Sequence, residues 1–63
     1  MNHFEQVDFV AKVKIKLIEK GMTQKQLVKR YRLNYIVCNG ILNMKRAITK
    51  KYEKALLKFI RFE

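Results

Sequence analysis

Between Thr23 and Arg46, in the stretch TQKQLVKRYRLNYIVCNGILNMKR, the chain signals two helix starts in quick succession. Thr23 followed three residues later by Gln26 is a capping box, placed just before Leu27 and Val28. Asn34 is a second N-cap, ahead of Tyr35, Ile36, Val37 and Cys38. Leu27, Val28, Tyr31, Leu33, Cys38 and Ile41 then fall where two short helices crossing at a wide angle bury them against each other. This is the spacing of a helix-turn-helix, a compact way to hold one short helix outward.

The flanking segments supply the support. Asn2 with Glu5 opens a first helix, and Asp8 offers a later start. Val10, Val13 and Leu17 form its apolar stripe, flanked by Ala11 and Ile18. The alternation from Val13 to Leu17 also fits a strand, but a lone strand has no partner here and the helical stripe extends further on both sides. Lys12, Lys16 and Lys20 line one solvated edge. Gly21 ends the helix as a left-handed cap, with Met22 turned back to the core. Thr49 caps a last helix whose inner stripe is Tyr52, Leu56 and Phe59, flanked by Ala55 and Ile60. The expected architecture is all-α, one domain with helices near 3–20, 23–31, 35–43 and 49–62.

Sixty-three residues lie near the lower limit for an independent core, and 49% apolar residues are enough to fill a small one. The absence of Pro and the presence of only two Gly leave little material for hairpins or linkers. No apolar run approaches the length of a membrane span, and the N-terminus lacks the apolar block of a signal peptide. A single cysteine forms no internal disulfide, which suits a reducing compartment. The expected location is the cytoplasm.

Catalysis finds no support. His3 is the only histidine and lies at the N-terminus. Cys38 falls on the inward side of its helix, where a structural thiol is expected. No carboxylate pair, Cys/His cluster or Gly-rich phosphate loop is present. We expect no enzyme, no metal and no cofactor.

Charge points elsewhere. Fifteen Lys and Arg against five acidic residues give a formal charge of +10. On so small a domain that field attracts a polyanion or an acidic protein surface, beyond merely keeping the chain soluble. A cationic amphipathic membrane binder would share the charge but not the capped, segmented helices.

The third helix decides between partners. With Cys38 and Ile41 inward, Tyr35, Ile36, Asn39, Gly40 and Asn43 face outward, and Val37 and Leu42 are part-exposed. Asn39 and Asn43 are the residue types that read base edges, with Ile36 placed to touch a thymine methyl. No Arg or Lys lies on the helix itself. An apolar, aromatic face beside positive charge equally describes a protein-binding anchor. Lys45 and Arg46 follow, and with Lys50 and Lys51 they make the densest basic cluster. Gln24 and Lys25, at the N-terminus of the second helix, stand beside free backbone donors suited to an anion. Leu57, Ile60 and Phe62, on the last helix, either wrap the core or form a self-association or partner surface.

MTQKQLVKR, a following hydrophobic residue with Asn, and ILNMKR together resemble the lambda-repressor-like (Cro/CI-type) helix-turn-helix family of phage and bacterial regulators. The resemblance covers roughly residues 14–60 and implies a small four-helix domain. It implies phosphate contacts from Gln24, Lys45 and Arg46, and a reading face on the third helix. Three positions depart from the family pattern. Val28 stands where Ala is usual, implying a looser or shifted crossing. Arg32 stands where Gly usually makes the turn, so that a left-handed backbone there is either strained or replaced. Met44 replaces the Gly of ILNGKR. Members often close the core or dimerise through a fifth helix, and this chain ends before one.

The size and the GMTQ…ILNMKR framework, with its apolar outward face, also resemble the modulator-of-repression proteins of temperate phages of lactic-acid bacteria. That likeness implies an antirepressor of the lysogenic/lytic switch, working in the bacterial host on the phage repressor as its protein partner. Contact with double-stranded DNA and formation of a homodimer stay open beside it. The other expectation is a Cro-like dimeric DNA-binding repressor that needs no protein partner.

Overall fold

The computed structural model describes all 63 residues. Four helices account for the fold: α1 (His3–Lys20), α2 (Gln24–Tyr31), α3 (Tyr35–Leu42) and α4 (Lys50–Phe62). Thr23 and Thr49 stand outside their helices as N-caps, and Asn43 ends α3 as its C-cap. The element bounds therefore differ from the sequence reading by single residues.

Each start is fixed by a side chain that accepts an otherwise unpaired helical N–H. Asn2 and Glu5 exchange bonds of 2.8 and 2.9 Å, and Thr23 and Gln26 do so at 3.2 and 2.8 Å. At α3 the Asn34 side chain accepts from the Val37 N–H at 3.0 Å. The Asn34 N–H itself donates to the Tyr52 hydroxyl on α4 at 2.9 Å, tying the start of α3 to the last helix.

Three helices end in the same way, and only one uses glycine. Gly21 has φ 64°, Arg32 φ 55° and Met44 φ 60°. In each case the next N–H closes back across the last turn: Met22 to the Leu17 carbonyl at 2.9 Å, Leu33 to Val28 at 2.8 Å, and Lys45 to Gly40 at 2.8 Å. This is the Schellman closure, which satisfies orphan carbonyls. Arg32 and Met44 thus keep the left-handed backbone despite their Cβ atoms, each against a penalty of about 1 kcal/mol or more. Of the two outcomes for Arg32, strain or replacement, the backbone takes strain.

The core joins Val10, Val13 and Leu17 of α1 to Leu27 and Val28 of α2, Cys38, Ile41 and Leu42 of α3, and Tyr52, Leu56 and Phe59 of α4. Phe59 is fully buried and meets the Tyr31 ring edge-on at 6.2 Å. Leu33 and Tyr31 are half-buried against this cluster. Ala11 and Ile18, expected to flank the core stripe of α1, are instead exposed. No helix is long and apolar enough to cross a membrane.

One polar side chain lies inside. Gln6 donates through Nε2 to the carbonyls of Ile41 at 3.2 Å and Arg46 at 2.8 Å, and accepts from the Ile48 N–H at 3.0 Å. It stitches α1 to the end of α3 and to the segment that follows. Nothing in the sequence reading assigned Gln6 this place. Its signal was register, since Gln6 continues the stripe Val10, Val13, Leu17 by one turn.

Candidate functional site: the outward end of α3 and its basic margin

Burial along α3 is graded. Cys38, Ile41 and Leu42 are fully buried, whereas Tyr35 and Ile36 at the N-terminal end are exposed, Ile36 at 70%. Leu42, expected to be part-exposed, is interior because the C-terminal half of α3 runs in beside α1. There Gln6 binds the Ile41 carbonyl. Burial pushes the Cys38 thiol above its ordinary value, keeping it protonated and poorly nucleophilic.

Gly40, placed outward by the sequence reading, is buried. The reason is local. The helix exit at Met44 turns the chain back, and the Arg46 stem lies across the bare Gly40 backbone. A Cβ there would stand 2.9 Å from Arg46 Cδ. The Gly40 carbonyl also accepts from the Lys45 and Arg46 N–H groups, at 2.8 and 3.2 Å. The close approach that Gly40 permits is therefore already taken by this chain's own arginine. Val37 is half-buried and packs against the core. The accessible face of α3 thus reduces to Tyr35, Ile36, Asn39 and Asn43.

Two of these belong to a polar chain that crosses from α2. Asn39 Nδ2 donates to Gln24 Oε1 at 3.0 Å, and Asn43 Nδ2 donates to Asn39 Oδ1 at 3.0 Å. Gln24, Asn39 and Asn43, picked separately from the sequence for phosphate and base contacts, are thereby brought into one hydrogen-bonded row. Each link holds the next side chain in a set rotamer, while the Gln24 amide and the Asn43 oxygen keep bonding capacity for an outside group.

The cations are placed along the chain on either side of α3. Lys25 follows Gln24 in the first turn of α2, Lys45 and Arg46 leave the C-terminus of α3, and Lys50 opens α4; all four are exposed. Lys51 lies over the Tyr52 ring at 5.9 Å, which leaves it a less free cation than Lys50.

The apolar residues of α4 do not form one patch. Leu57 and Ile60 are half-buried, Ile60 packed on the core, and only Phe62 stands clear. Near it, the Tyr31 hydroxyl donates to Glu63 Oε2 at 2.8 Å, and the Arg30 guanidinium pairs with the same carboxylate. Burial, reinforced by that carboxylate, pushes Tyr31 up to about 12. The Tyr31 hydrogen bond, with Arg30 and Lys20 nearby, holds Glu63 below the usual carboxylate range.

No three metal-ligating side chains converge anywhere in the molecule. One surface hollow is polar-edged, formed by Met22, Gln26, Lys29 and Arg30, and another is mostly apolar, formed by Val7, Val10, Ala11, Leu42 and Met44 with Lys14 and Asn43. The surface presents an exposed apolar pair, a row of bonded amides and several exposed cations. No known protein family, characterised protein or solved structure matches this chain.

Proposed function

We propose that α2 and α3 form a helix-turn-helix of the lambda-repressor type, and that the protein acts in the bacterial host cell as a phage antirepressor. In this reading α3 docks on the DNA-binding domain of the phage repressor and alters that repressor's operator binding, tilting the lysogenic/lytic switch. The observation that carries it is the exposed Tyr35–Ile36 pair at the N-terminal end of a helix without a single Lys or Arg. Tyr is enriched among the anchors of protein interfaces, and Ile36 adds exposed apolar surface beside it. Lys25, Lys45, Arg46 and Lys50 would complement an acidic surface and steer the encounter.

A second reading is favoured by the row Gln24–Asn39–Asn43. Amide side chains held in place across two helices suit bidentate contact with adenine edges, with Gln24 at the phosphate. On this reading the protein is a Cro-like dimeric DNA-binding repressor, with its cations on the backbone.

Fluorescence anisotropy separates the two. A labelled operator duplex and an unrelated duplex are titrated with the protein across several salt concentrations, alone and with the repressor present. The antirepressor reading expects weak, unselective, salt-sensitive binding by the protein alone, with repressor binding abolished or redirected on mixing. Ile36→Asp should remove that effect while leaving the fold intact. Tight, sequence-selective binding by the protein alone, lost in Asn39→Ala, would replace it with the Cro-like reading.

A further inference from the structure

α1 has two apolar faces, and only one is used by the core. Gln6, Val10, Val13 and Leu17 are buried. Phe4, Val7, Ala11, Ile15 and Ile18 are all exposed. Phe4 shows 83% of its surface, Val7 44%, Ile15 56% and Ile18 80%. At 3.6 residues per turn these five positions fall within an arc of about 80°, a straight stripe along nearly the whole helix. Scattered apolar residues on a surface need no explanation, but a contiguous stripe marks a contact.

We propose that this stripe is a homodimer interface, in which α1 packs antiparallel against α1 of a second copy about a two-fold axis at Ala11. The spacing indicates the occupant. Successive steps along the stripe are three, four, four and three residues, symmetric about Ala11. Reversing one helix therefore sets Phe4 against Ile18 of the partner copy and Val7 against Ile15 of the partner copy. Ala11 meets its own equivalent, and the smallest side chain then sits at the crossing, where the axes must come closest. A self-complementary patch is what an isologous contact requires.

Charge and area agree with this occupant. Asp8 and Lys12, already paired at 3.4 Å, border the stripe. The two-fold axis brings that border against its own reverse, so Asp8 faces Lys12 of the partner copy within one turn. Opposed helix dipoles favour the same orientation. Five side chains on one helix face make a small contact, at the weak and reversible end of protein interfaces. The stripe adjoins the C-terminal end of α3, where Val7 and Ala11 border a hollow with Asn43 and Met44.

Sedimentation equilibrium of the whole chain, from low micromolar to near-millimolar protein, tests the proposal. Each copy carries +10, so an apolar contact between like-charged copies should strengthen as salt rises, the reverse of nucleic-acid binding. The expected result is a reversible monomer–dimer equilibrium that is lost in Ile18→Asp and in Ile15→Lys, both with unchanged circular dichroism and thermal unfolding. Mild oxidation tests the geometry. Ala11→Cys should cross-link two copies readily, whereas Ile18→Cys should not, since its copies would lie about 20 Å apart. A chain that stays monomeric throughout, whether or not its stripe engages anionic vesicles or another protein, overturns the proposal. So does a dimer that survives both charged substitutions. Equal cross-linking of the two cysteine variants overturns the antiparallel arrangement.

Discussion

Gln6 Oε1 accepts the Ile48 N–H at 3.0 Å across more of the sequence than any other side-chain bond in the fold spans. Together with its bond to Arg46, it gives the backbone between α3 and α4 partners that no secondary structure supplies there, and a third bond, to the Ile41 carbonyl, ties it to the end of α3. Gln6→Leu keeps comparable bulk but strands the Arg46 carbonyl and the Ile48 N–H, while the Ile41 carbonyl keeps the Met44 N–H at 3.1 Å. With a buried unsatisfied group costing about 1–3 kcal/mol, the expected loss is about 2 kcal/mol or more, a large fraction of what so small a domain holds. Urea denaturation followed by circular dichroism measures it. Retention of full stability would mean that water replaces the amide and that Gln6 does not organise the loop.

The left-handed backbone at Arg32 supports a prediction of opposite sign. Arg32 is exposed, so its side chain gives little to the core, and a Cβ at φ 55° is strained. Arg32→Gly removes a strain of about 1–2 kcal/mol and adds about 0.5–1 kcal/mol of unfolded-state entropy, for a net gain between zero and about 1.5 kcal/mol. In a domain of this size that raises the melting temperature by roughly 4–8 °C per kcal/mol. Arg32→Ala keeps the strain and should leave the midpoint nearly unchanged. Met44 is not an equivalent test, because it is half-buried and packs on the core.

What was legible in the sequence followed from local chemistry. The caps at Asn2, Thr23, Asn34 and Thr49 are short-range bonds, readable from residues three apart. The stripes Val10–Val13–Leu17 and Tyr52–Leu56–Phe59 are plain helical periodicity. What escaped depends on contacts between segments. The sequence gives no direct sign that an arginine stem will lie on Gly40, or that the C-terminal half of α3 will turn inward and bury Leu42. The stripe on α1 was visible as apolar residues, but periodicity alone does not say which of two apolar faces meets the core. Ala11 and Ile18 were assigned to the wrong one for that reason. Gln24, Asn39 and Asn43 were each legible as surface amides; that they bond to one another depends on how α2 crosses α3.

Gly40→Ala separates stability from recognition. A mid-helix glycine is about 1 kcal/mol worse than alanine, so the substitution favours α3. The new methyl would meet Arg46 Cδ at 2.9 Å and Cγ at 3.0 Å, too close to keep. The obstacle is a flexible side chain with an exposed residue behind it, so Arg46 swings outward rather than the helix moving. The expected result is a domain equally stable or up to about 1 kcal/mol more stable, with the Arg46 side-chain resonances shifted. If Arg46 binds in its folded-over position, partner affinity falls despite the gain in stability. Thermal unfolding and a binding titration on the same sample show both effects.

The Tyr31–Glu63 pair predicts how stability varies with pH, at both ends of the range. Glu63 titrates lower in the fold than the ordinary 4.5. Its contribution is therefore present above 4.5 and is lost as pH falls through the lower folded value. Tyr31 is raised from 10.0 to about 12. The fold thus favours its protonated form; that contribution is intact below 10 and is lost as pH rises toward 12. Glu63→Gln removes the carboxylate acceptor and should flatten the acid limb of a stability–pH profile. It should also lower the Tyr31 ionisation, though not fully to 10, because burial is the larger cause of the shift. Ultraviolet titration of tyrosinate absorbance in the wild-type chain, Tyr31→Phe and Glu63→Gln checks this directly. The wild-type chain should show a late ionisation that Tyr31→Phe lacks and that Glu63→Gln moves down only in part. A return to the ordinary value in Glu63→Gln would put the whole shift on the carboxylate and remove burial as its main cause.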